Sequence, residues 1–310
     1  MMKIILDTDI GPDCDDAAAI ALANILENKG YCQILGIGHC TSNPYCAGTI
    51  DAICRYYGHD DIQIGTSKRL HFLCSDDCMK YNKLITSTYP NRFRTEQPEN
   101  VISLYRRLLA SQNDSSVDFI SIGPLTNLSD LLDSTCDAYY NGDGWELVRR
   151  KVRKLTIMGG IYPCDNSLKI SISHSFECPY DQIAEFNILC DIRAAQNVAS
   201  RWPSQKDYLG FESGLVKIGK CFKTEKNKEN PVRMAYSLFS EDGLRYSWDP
   251  LTVECALVPN CSDFKFSDKG KVQFDNHGRT FWKRSSSGND RYIQLAQDKD
   301  LVANNLERFF

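Results

Sequence analysis

The sequence has no apolar run that approaches the roughly 20 residues of a membrane-spanning helix. It also has no excess of basic residues, since 36 Lys and Arg stand against 40 Asp and Glu and give a net charge of −4. This balance argues against a basic surface that binds nucleic acid. The first residues show no signal-peptide pattern. We therefore expect a soluble, cytoplasmic protein that binds neither membranes nor nucleic acids.

Histidine is scarce, and paired zinc-binding residues are missing. The five histidines stand apart in the sequence, so we expect each to be a surface or structural residue: His39, His59, His71, His174 and His277. Of the fourteen cysteines, only Cys74 and Cys78 have the spacing of a zinc-binding loop, and no second pair of this kind accompanies them. We expect free thiols that pack as small apolar residues in a reducing compartment.

Short apolar runs alternate with amphipathic segments along the chain. The apolar runs predict strands at Lys3–Leu6, Ile34–Gly38, Ile62–Ile64, Phe119–Ile122 and Leu155–Met158. The segments between them predict helices at Ala17–Leu26, Cys46–Tyr57, Glu99–Ser111 and Leu125–Leu132. This alternation is typical of an α/β protein with a mainly parallel central β-sheet flanked by helices. Because we see no repeat or dividing linker, we expect residues 1–310 to form a single domain.

The C-terminal part predicts an addition to this sheet. Lys271–Phe274 and Thr280–Trp282 flank a Gly-containing turn and predict a β-hairpin at the edge of the sheet. A last helix is expected over Asp298–Arg308. Residues 72–98 and 164–184 are polar and long, and we expect irregular loops there.

The densest cluster of chemically active residues follows the first predicted strand, where five aspartates occur within ten residues: Asp7, Asp9, Asp13, Asp15 and Asp16. A helix pattern begins immediately afterwards, so this acidic loop lies at the carboxyl end of a strand, where open α/β sheets bind ligands. The N-terminus of the helix offsets only part of the negative charge. We therefore predict that a hard divalent cation with oxygen ligands holds these carboxylates together.

Four later motifs accompany the acidic loop. They are Ser121-Ile122-Gly123-Pro124-Leu125-Thr126-Asn127-Leu128, Met158-Gly159-Gly160, Glu185-Phe186-Asn187 and Trp248-Asp249-Pro250. Their order and content, from residue 3 to about residue 260, resemble the inosine–uridine-preferring nucleoside hydrolase family. The resemblance implies a nucleoside hydrolase fold and hydrolysis of the N-glycosidic bond of a ribonucleoside or related riboside, which gives ribose and a free base. It also implies a role in purine and pyrimidine salvage and a homo-oligomer, either a dimer or a tetramer.

The resemblance further implies a calcium site. Its protein ligands would be Asp9, Asp16, Asp249 and the backbone carbonyl of Ile122, with one water and two ribose hydroxyls completing the six to eight oxygens that calcium prefers. Asp9, beside the metal-bound water, would be the general base, because the cation lowers the pKa of that water.

The same resemblance assigns the substrate contacts. Asp15 and Asn187 would hold the 2′-hydroxyl of the ribose, Asp16 and Asp249 would meet the 3′-hydroxyl, and Glu185 would take the 5′-hydroxyl. Met158 would pack either against the sugar or in the core, and Trp248 would stack on the base. Asp7 and Asn127 are expected to be structural, with Asp7 satisfying turn amides.

The chain departs from the family pattern at three places. Asp13 and Cys14 form an insertion in the acidic loop, and Asp13 could itself enter the site. Trp248 stands where well-studied members carry a histidine that can protonate the leaving base, and an indole N–H cannot act as an acid at neutral pH. Pro179 stands where the family usually has an Asn. A divergent branch with poor activity on purine nucleosides is the expected consequence.

Three alternative functions compete with this prediction, and the sequence excludes one of them. The first is a non-catalytic relative that binds ribosides, because a missing general acid typically removes a factor of 10²–10⁴ in rate. The second is a phosphatase of the haloacid dehalogenase type with Asp7 as nucleophile and Asp9 as acid, which Gly11 disfavours. The third is an EF-hand-like calcium module, which fails because Ala18 stands at the position of the bidentate Glu.

Overall fold

The first strand of the chain lies in the middle of a large, mostly parallel sheet. The computed structural model describes residues 1–163, 169–173, 176–179 and 183–310. The strands among these residues are β1 Met2–Thr8, β2 Cys32–His39, β3 Gln63–Thr66, β4 Glu99–Asn100, β5 Val117–Ser121, β6 Val152–Met158, β7 Lys169–Ser173, β8 Phe176–Pro179, β9 Gln205–Leu209, β10 Lys217–Ile218, β11 Arg245–Tyr246, β12 Phe264–Phe266, β13 Gly270–Phe274, β14 Thr280–Arg284 and β15 Asp290–Leu295. The helices are α1 Asp15–Asn28, α2 Cys46–Tyr56, α3 Asn82–Thr88, α4 Val101–Ala110, α5 Thr126–Asp133, α6 Gly144–Lys151, α7 Phe186–Cys190, α8 Ile192–Arg201, α9 Pro231–Phe239, α10 Trp248–Leu257 and α11 Lys299–Glu307.

Eleven of the described strands form one sheet, in the order β14-β13-β15-β9-β6-β5-β1-β2-β3-β4, with β12 beside β15. The strands from β15 to β4 in this order all pair in parallel, whereas β12, β13 and β14 pair antiparallel. Since β1 is flanked by β2 and β5 on its two sides, its last five residues are buried, and its apolar residues Ile4, Ile5 and Leu6 follow one another without a polar residue between them. The predicted parallel α/β sheet, with its antiparallel C-terminal strands, is therefore confirmed.

Helices cover both faces of the sheet, and a separate layer of hydrophobic core lies on each face. Ile4 and Leu6 point into one apolar layer, and Ile5 points into the other, because side chains alternate along a strand. Helix α1 packs into the first layer against α10 and is buried on nearly all sides, including both aspartates of its first turn. Polar residues in such a position need a functional or hydrogen-bonding explanation.

Several elements differ from the sequence-based expectation. The segment 72–98 contains α3, and the segment 164–184 contains the paired strands β7 and β8. Strands β9 and β15 were not expected, because they carry charged residues that pair with each other inside the sheet. Lys206 Nζ lies 3.0 Å from Asp290 Oδ1, and Arg291 donates to the buried Asp207. A strand of this composition does not show the apolar pattern on which the prediction depends.

The end of the chain completes the sheet. The predicted hairpin is formed by β13 and β14, and β15 follows it and pairs in parallel with β9, so that the hairpin is joined to the central sheet. The last helix, α11, begins one residue later than expected and is capped by the side chain of Asp298. Within the described part of the chain, no helix combines the length and the apolar character that crossing a bilayer requires.

Candidate active site

The acidic loop connects β1 to α1 at the carboxyl edge of the sheet. Gly11 lies in this loop with φ at +149°, and a Cβ there would come within 2.5 Å of the carbonyl oxygen of Cys78. The hydroxyl of the buried Tyr81 donates to the carbonyl oxygen of Asp13 at 2.5 Å. The segment 72–98 therefore supports the acidic loop from outside, and only glycine fits at position 11.

A cavity of about 270 Å³ opens above the carboxyl ends of β1, β5 and β6. Its lining residues come from distant parts of the sequence: Asp9, Pro12, Asp13, Asp15, Asp16, Ile122, Met158, Glu185, Phe186, Asn187, Phe211, Arg245, Trp248 and Asp249. All nine residues that the sequence assigned to the metal, the substrate or catalysis are among them. Asp7 and Asn127, expected to be structural, are not.

Three carboxylates approach one another most closely. Asp15, Asp16 and Asp249 each present an oxygen atom, and these atoms lie within 4.8 Å of one another. Asp9 lines the same cavity but does not belong to this closest group. Asp15 does belong to it, although the sequence assigned Asp15 only to the substrate. Each of the four side chains is at most 5% exposed. The group exists because α1 and α10 pack together and bring their first turns into contact.

The cluster is electrostatically unbalanced. Burial and the neighbouring carboxylates raise the pKa of Asp9, Asp15, Asp16 and Asp249 well above the ordinary aspartate value. In the described part of the chain, no Lys or Arg forms an ion pair with any of the four. An all-oxygen, buried and acidic donor set of this kind fits a hard divalent cation, which would relieve the repulsion.

Hydrogen bonds fix the orientation of two of these carboxylates. The hydroxyl of Thr8, the last residue of β1, donates to Asp16 Oδ1. The backbone N–H of Asp249 donates to Asp15 Oδ2 at 3.1 Å, so that the first turns of α1 and α10 are joined directly. At Gly123 a Cβ would lie 2.8 Å from the backbone nitrogen of Asp9, and the absence of a side chain there allows the loop after β5 to approach the acidic loop.

Asp7 has a supporting role outside the cavity. It is fully buried, and its Oδ2 accepts hydrogen bonds from the hydroxyl of Tyr105 and, at 2.7 Å, from Nδ2 of Asn127. Its partners are thus side chains of α4 and α5 and not the turn amides that the sequence suggested. Asp7 connects β1 to the helices on the second face of the sheet.

Another part of the cavity wall is built around the N-terminus of α7. Glu185 caps this helix, with Oε1 accepting from the N–H of Asn187 at 2.8 Å and Oε2 from those of Ile188 and Gly160 at 3.2 Å. Burial nevertheless raises the pKa of Glu185 to about 7. Asn187 Nδ2 donates to the carbonyl oxygen of Met158 at 3.3 Å. Met158 both lines the cavity and belongs to the core.

An aromatic wall borders the cavity beside Asp249. The rings of Trp248 and Phe211 are 5.4 Å apart with an interplanar angle of 30°. The indole N–H of Trp248 donates to the carbonyl oxygen of Phe211 at 2.8 Å. A Cβ at Gly214 would lie 1.9 Å from Trp248 Cδ1, so the indole packs directly on that backbone. The only side-chain N–H of Trp248 is therefore already used within the protein.

The inserted Asp13 enters the cavity wall with an unpredicted partner. Arg245 Nε lies 2.8 Å from Asp13 Oδ1 and 2.9 Å from Oδ2, and Nη2 also donates to Oδ2. Arg245, Pro12 and Phe186 were missed as cavity residues. No local pattern distinguishes the first two, and Phe186 entered only as the middle residue of the Glu185-Phe186-Asn187 motif. Phe211 follows β9 closely in the sequence, and its place in the wall depends on the fold.

These features define an α/β protein with an acidic pocket suited to a metal ion at the carboxyl edge of its sheet. The sequence profile described as inosine-uridine preferring nucleoside hydrolase matches residues 4–300, and the chain belongs to this family of metal-dependent nucleoside hydrolases. A comparison with curated proteins found no matching sequence.

Solved structures show the same fold. An inosine-uridine preferring nucleoside hydrolase from Bacillus anthracis matches with a TM-score of 0.69 and 16% identity over 100% of both chains. A purine-preferring ribonucleoside hydrolase from Gardnerella vaginalis matches with a TM-score of 0.71 and 18% identity over 99% of this chain and 97% of that chain. A plant nucleoside hydrolase matches with a TM-score of 0.67 and 19% identity over 99% of this chain and 98% of that chain.

Proposed function

We propose that this protein is a calcium-dependent N-ribosyl hydrolase that cleaves the N-glycosidic bond of a ribonucleoside or related riboside and releases ribose and the free base. The observation that carries this proposal is the cavity, which collects nine assigned residues from five separate segments around one group of buried carboxylates. Membership in the nucleoside hydrolase family supports the reaction class.

The proposed cation is calcium, held by Asp9, Asp16, Asp249 and the carbonyl oxygen of Ile122. The support is an oxygen-only donor set among buried carboxylates that form no ion pair in the described chain. When bound, a divalent cation would lower the pKa of a coordinated water and orient it. Because Asp15 belongs to the closest group of carboxylates with Asp16 and Asp249, it is a further candidate ligand of the cation besides being the proposed ribose contact.

In the proposed reaction the residues of this chain act on the sugar. Asp9 takes a proton from the attacking water. Asp15 accepts a hydrogen bond from the 2′-hydroxyl, and the amide of Asn187 donates one to it. Asp16 and Asp249 hold the 3′-hydroxyl, and Glu185 holds the 5′-hydroxyl. Negative charge around the ribose favours the positive charge that develops on the sugar as the bond to the base breaks.

The leaving group is where this chain differs from members that carry a histidine. Trp248 offers a ring face, but its N–H donates to a backbone carbonyl. We therefore propose that Trp248 stacks on the leaving group and protonates nothing. Substrates that require ring protonation, such as purine nucleosides, should be cleaved slowly.

Release of free ribose from a panel of nucleosides and from p-nitrophenyl riboside tests this function. We expect the activated riboside to be cleaved much faster than inosine, by about 10²–10⁴-fold, because it needs little acid assistance. Equal rates would mean that another residue supplies the proton. If ribose stabilises the calcium-loaded protein but no riboside is cleaved, the protein is a binding relative. Magnesium-dependent release of phosphate from a generic ester would favour the phosphatase alternative.

The setting of the reaction is part of the proposal. We place the enzyme in the cytoplasm, in purine and pyrimidine salvage, because the twelve cysteines whose side chains the structure describes are free thiols, as is usual in a reducing compartment. The continuous eleven-stranded sheet supports a single domain. The family resemblance supports a homo-oligomer, either a dimer or a tetramer, which light scattering of the purified protein would test.

A further inference from the structure

One cation lines the cavity among the residues that the structure describes. The charged side chains around it are six carboxylates, from Asp9, Asp13, Asp15, Asp16, Glu185 and Asp249, and the guanidinium of Arg245. The proposed chemistry on the ribose uses five of these carboxylates. It assigns nothing to Arg245 or to the inserted Asp13.

Arg245 is held in place on several sides. Its Nε and Nη2 donate to the carboxylate of Asp13, and its Cζ lies 5.2 Å from the ring centres of both Trp248 and Phe239. Nη1 donates to no acceptor among the described residues. Arg245 is thus anchored through two of its guanidinium nitrogens, lines the cavity as a residue and keeps a third nitrogen for a further acceptor.

The position of Arg245 points to the leaving-group end of the cavity. It stacks on Trp248, the proposed platform for the base, and its charge acts on Asp15, the proposed contact of the 2′-hydroxyl. In a riboside, C2′ is the neighbour of C1′, which carries the leaving group. Glu185, the proposed contact of the 5′-hydroxyl, lies elsewhere in the wall with Gly160 and α7.

We propose that Arg245, positioned by Asp13, forms an anion site for the leaving group, and that the preferred substrates are ribosides whose leaving group departs as an anion. This inference depends on the proposed riboside hydrolysis, and it specifies the substrate class. The charges then separate across the cavity in the transition state: the carboxylates face the positive sugar, and Arg245 faces the negative leaving group.

The proposed reaction needs no general acid to protonate the leaving group. The bond from C1′ to the leaving group breaks, and its electron pair stays with the leaving group as an anion. The oxygen of water forms the new bond to C1′, and the proton of that water passes to Asp9 and then to solvent. Arg245 transfers no proton, because a guanidinium stays charged in proteins.

A series of aryl ribosides whose phenols differ in acidity tests the anion site. In Arg245→Gln, we expect kcat for p-nitrophenyl riboside to fall about 10²-fold or more, as when one stabilising donor is removed, with a smaller change in KM. The rate should also depend more steeply on the acidity of the phenol, because the enzyme no longer offsets the charge. Asp13→Asn should give an intermediate slope, since it loosens the guanidinium without removing it.

The matched control is Arg233→Gln, which changes an arginine of α9 that donates to the carbonyl oxygen of Thr224 and does not line the cavity. This variant should keep both the rate and the slope of the wild type. If Arg245→Gln lowers the rates for all phenols by one common factor, Arg245 is merely structural and the anion site is refuted.

Binding of free p-nitrophenolate separates this inference from the proposed function. Calorimetry on the calcium-loaded protein should show weaker binding by Arg245→Gln than by wild type, by about tenfold or more, while Arg233→Gln matches wild type. If no riboside is cleaved but this difference is found, the hydrolase function fails and the anion site stands. Equal affinities in the two arginine variants would overturn the anion site even in an active enzyme.

Discussion

The three aspartates that lie closest together in the cavity repel one another when they are ionised. Asp15, Asp16 and Asp249 are buried, lie within 4.8 Å of one another and lack an ion-pair partner in the described chain. At the scale of single residues the site therefore destabilises the fold until a cation or protons arrive. This cost gives the calcium proposal a test that does not depend on activity.

Asp249→Asn should remove the calcium-induced rise in melting temperature and leave the calcium-free protein equally or more stable. The amide loses a cation ligand, but it also removes one repelling charge. Differential scanning fluorimetry with calcium and with chelator measures both effects. Asp242→Asn, at an exposed carboxylate, is the matched control and should keep the calcium response. A full calcium response in Asp249→Asn would contradict the site.

At the scale of elements, short segments aim the functional side chains. Helix α7 has five residues and depends on Glu185 for its cap, so one side chain serves both the local structure and the proposed ribose contact. The cap aligns the carboxylate with the cavity edge because three backbone N–H groups hold it. Structural and catalytic contributions of Glu185 can be separated by two substitutions.

Glu185→Ala should lower the free energy of unfolding by about 0.5–2 kcal/mol, since it deletes the cap. Glu185→Gln should cost less, because the amide oxygen still accepts from the helix. Both variants should show a large loss of kcat/KM with ribosides, because each lacks the charge near the 5′-hydroxyl. Chemical denaturation and steady-state kinetics measure the two effects. Wild-type kinetics in Glu185→Gln would exclude the proposed contact.

At the scale of the whole molecule, stability and pH are linked through buried groups. Burial raises the pKa of Asp7 and Glu185 to about 7 and that of Glu212 and Glu254 to about 8. These carboxyls hold protons more tightly in the folded chain than in the unfolded one. Their stabilising contribution is therefore complete below about pH 4 and is lost as the pH rises through 7 to 8.

Without calcium, we expect the melting temperature to fall between pH 6.5 and about 8. His39 acts in the opposite direction but below this window, because burial lowers its pKa from 6.5 to about 3. Glu212→Gln should flatten the decline. Calcium should stabilise more at the upper end of the window, where its ligands are more fully ionised. A melting temperature that rises with pH in chelator would contradict this prediction.

The sequence by itself determined the parallel α/β architecture and predicted which residues would form the candidate site. Local patterns suffice for this, because a buried parallel strand is a continuous apolar run and a dense acidic loop after it needs a cation. The acidic loop with Asp9, Asp15 and Asp16 was predicted from such patterns, whereas Asp249 and the role of each residue were predicted from the family resemblance. Strands β9 and β15 were not, because their buried charges neutralise each other only across the sheet.

Only the tertiary structure decided which groups meet. The ion pair between Asp13 and Arg245 joins residues 232 positions apart, and the stacking of Arg245 on Trp248 depends on the path of the chain after α9. The partners of Asp7 were likewise side chains from two helices and not its own turn. Such contacts have no local pattern, because their free energy comes from pairing charges and polar atoms that packing has already removed from water.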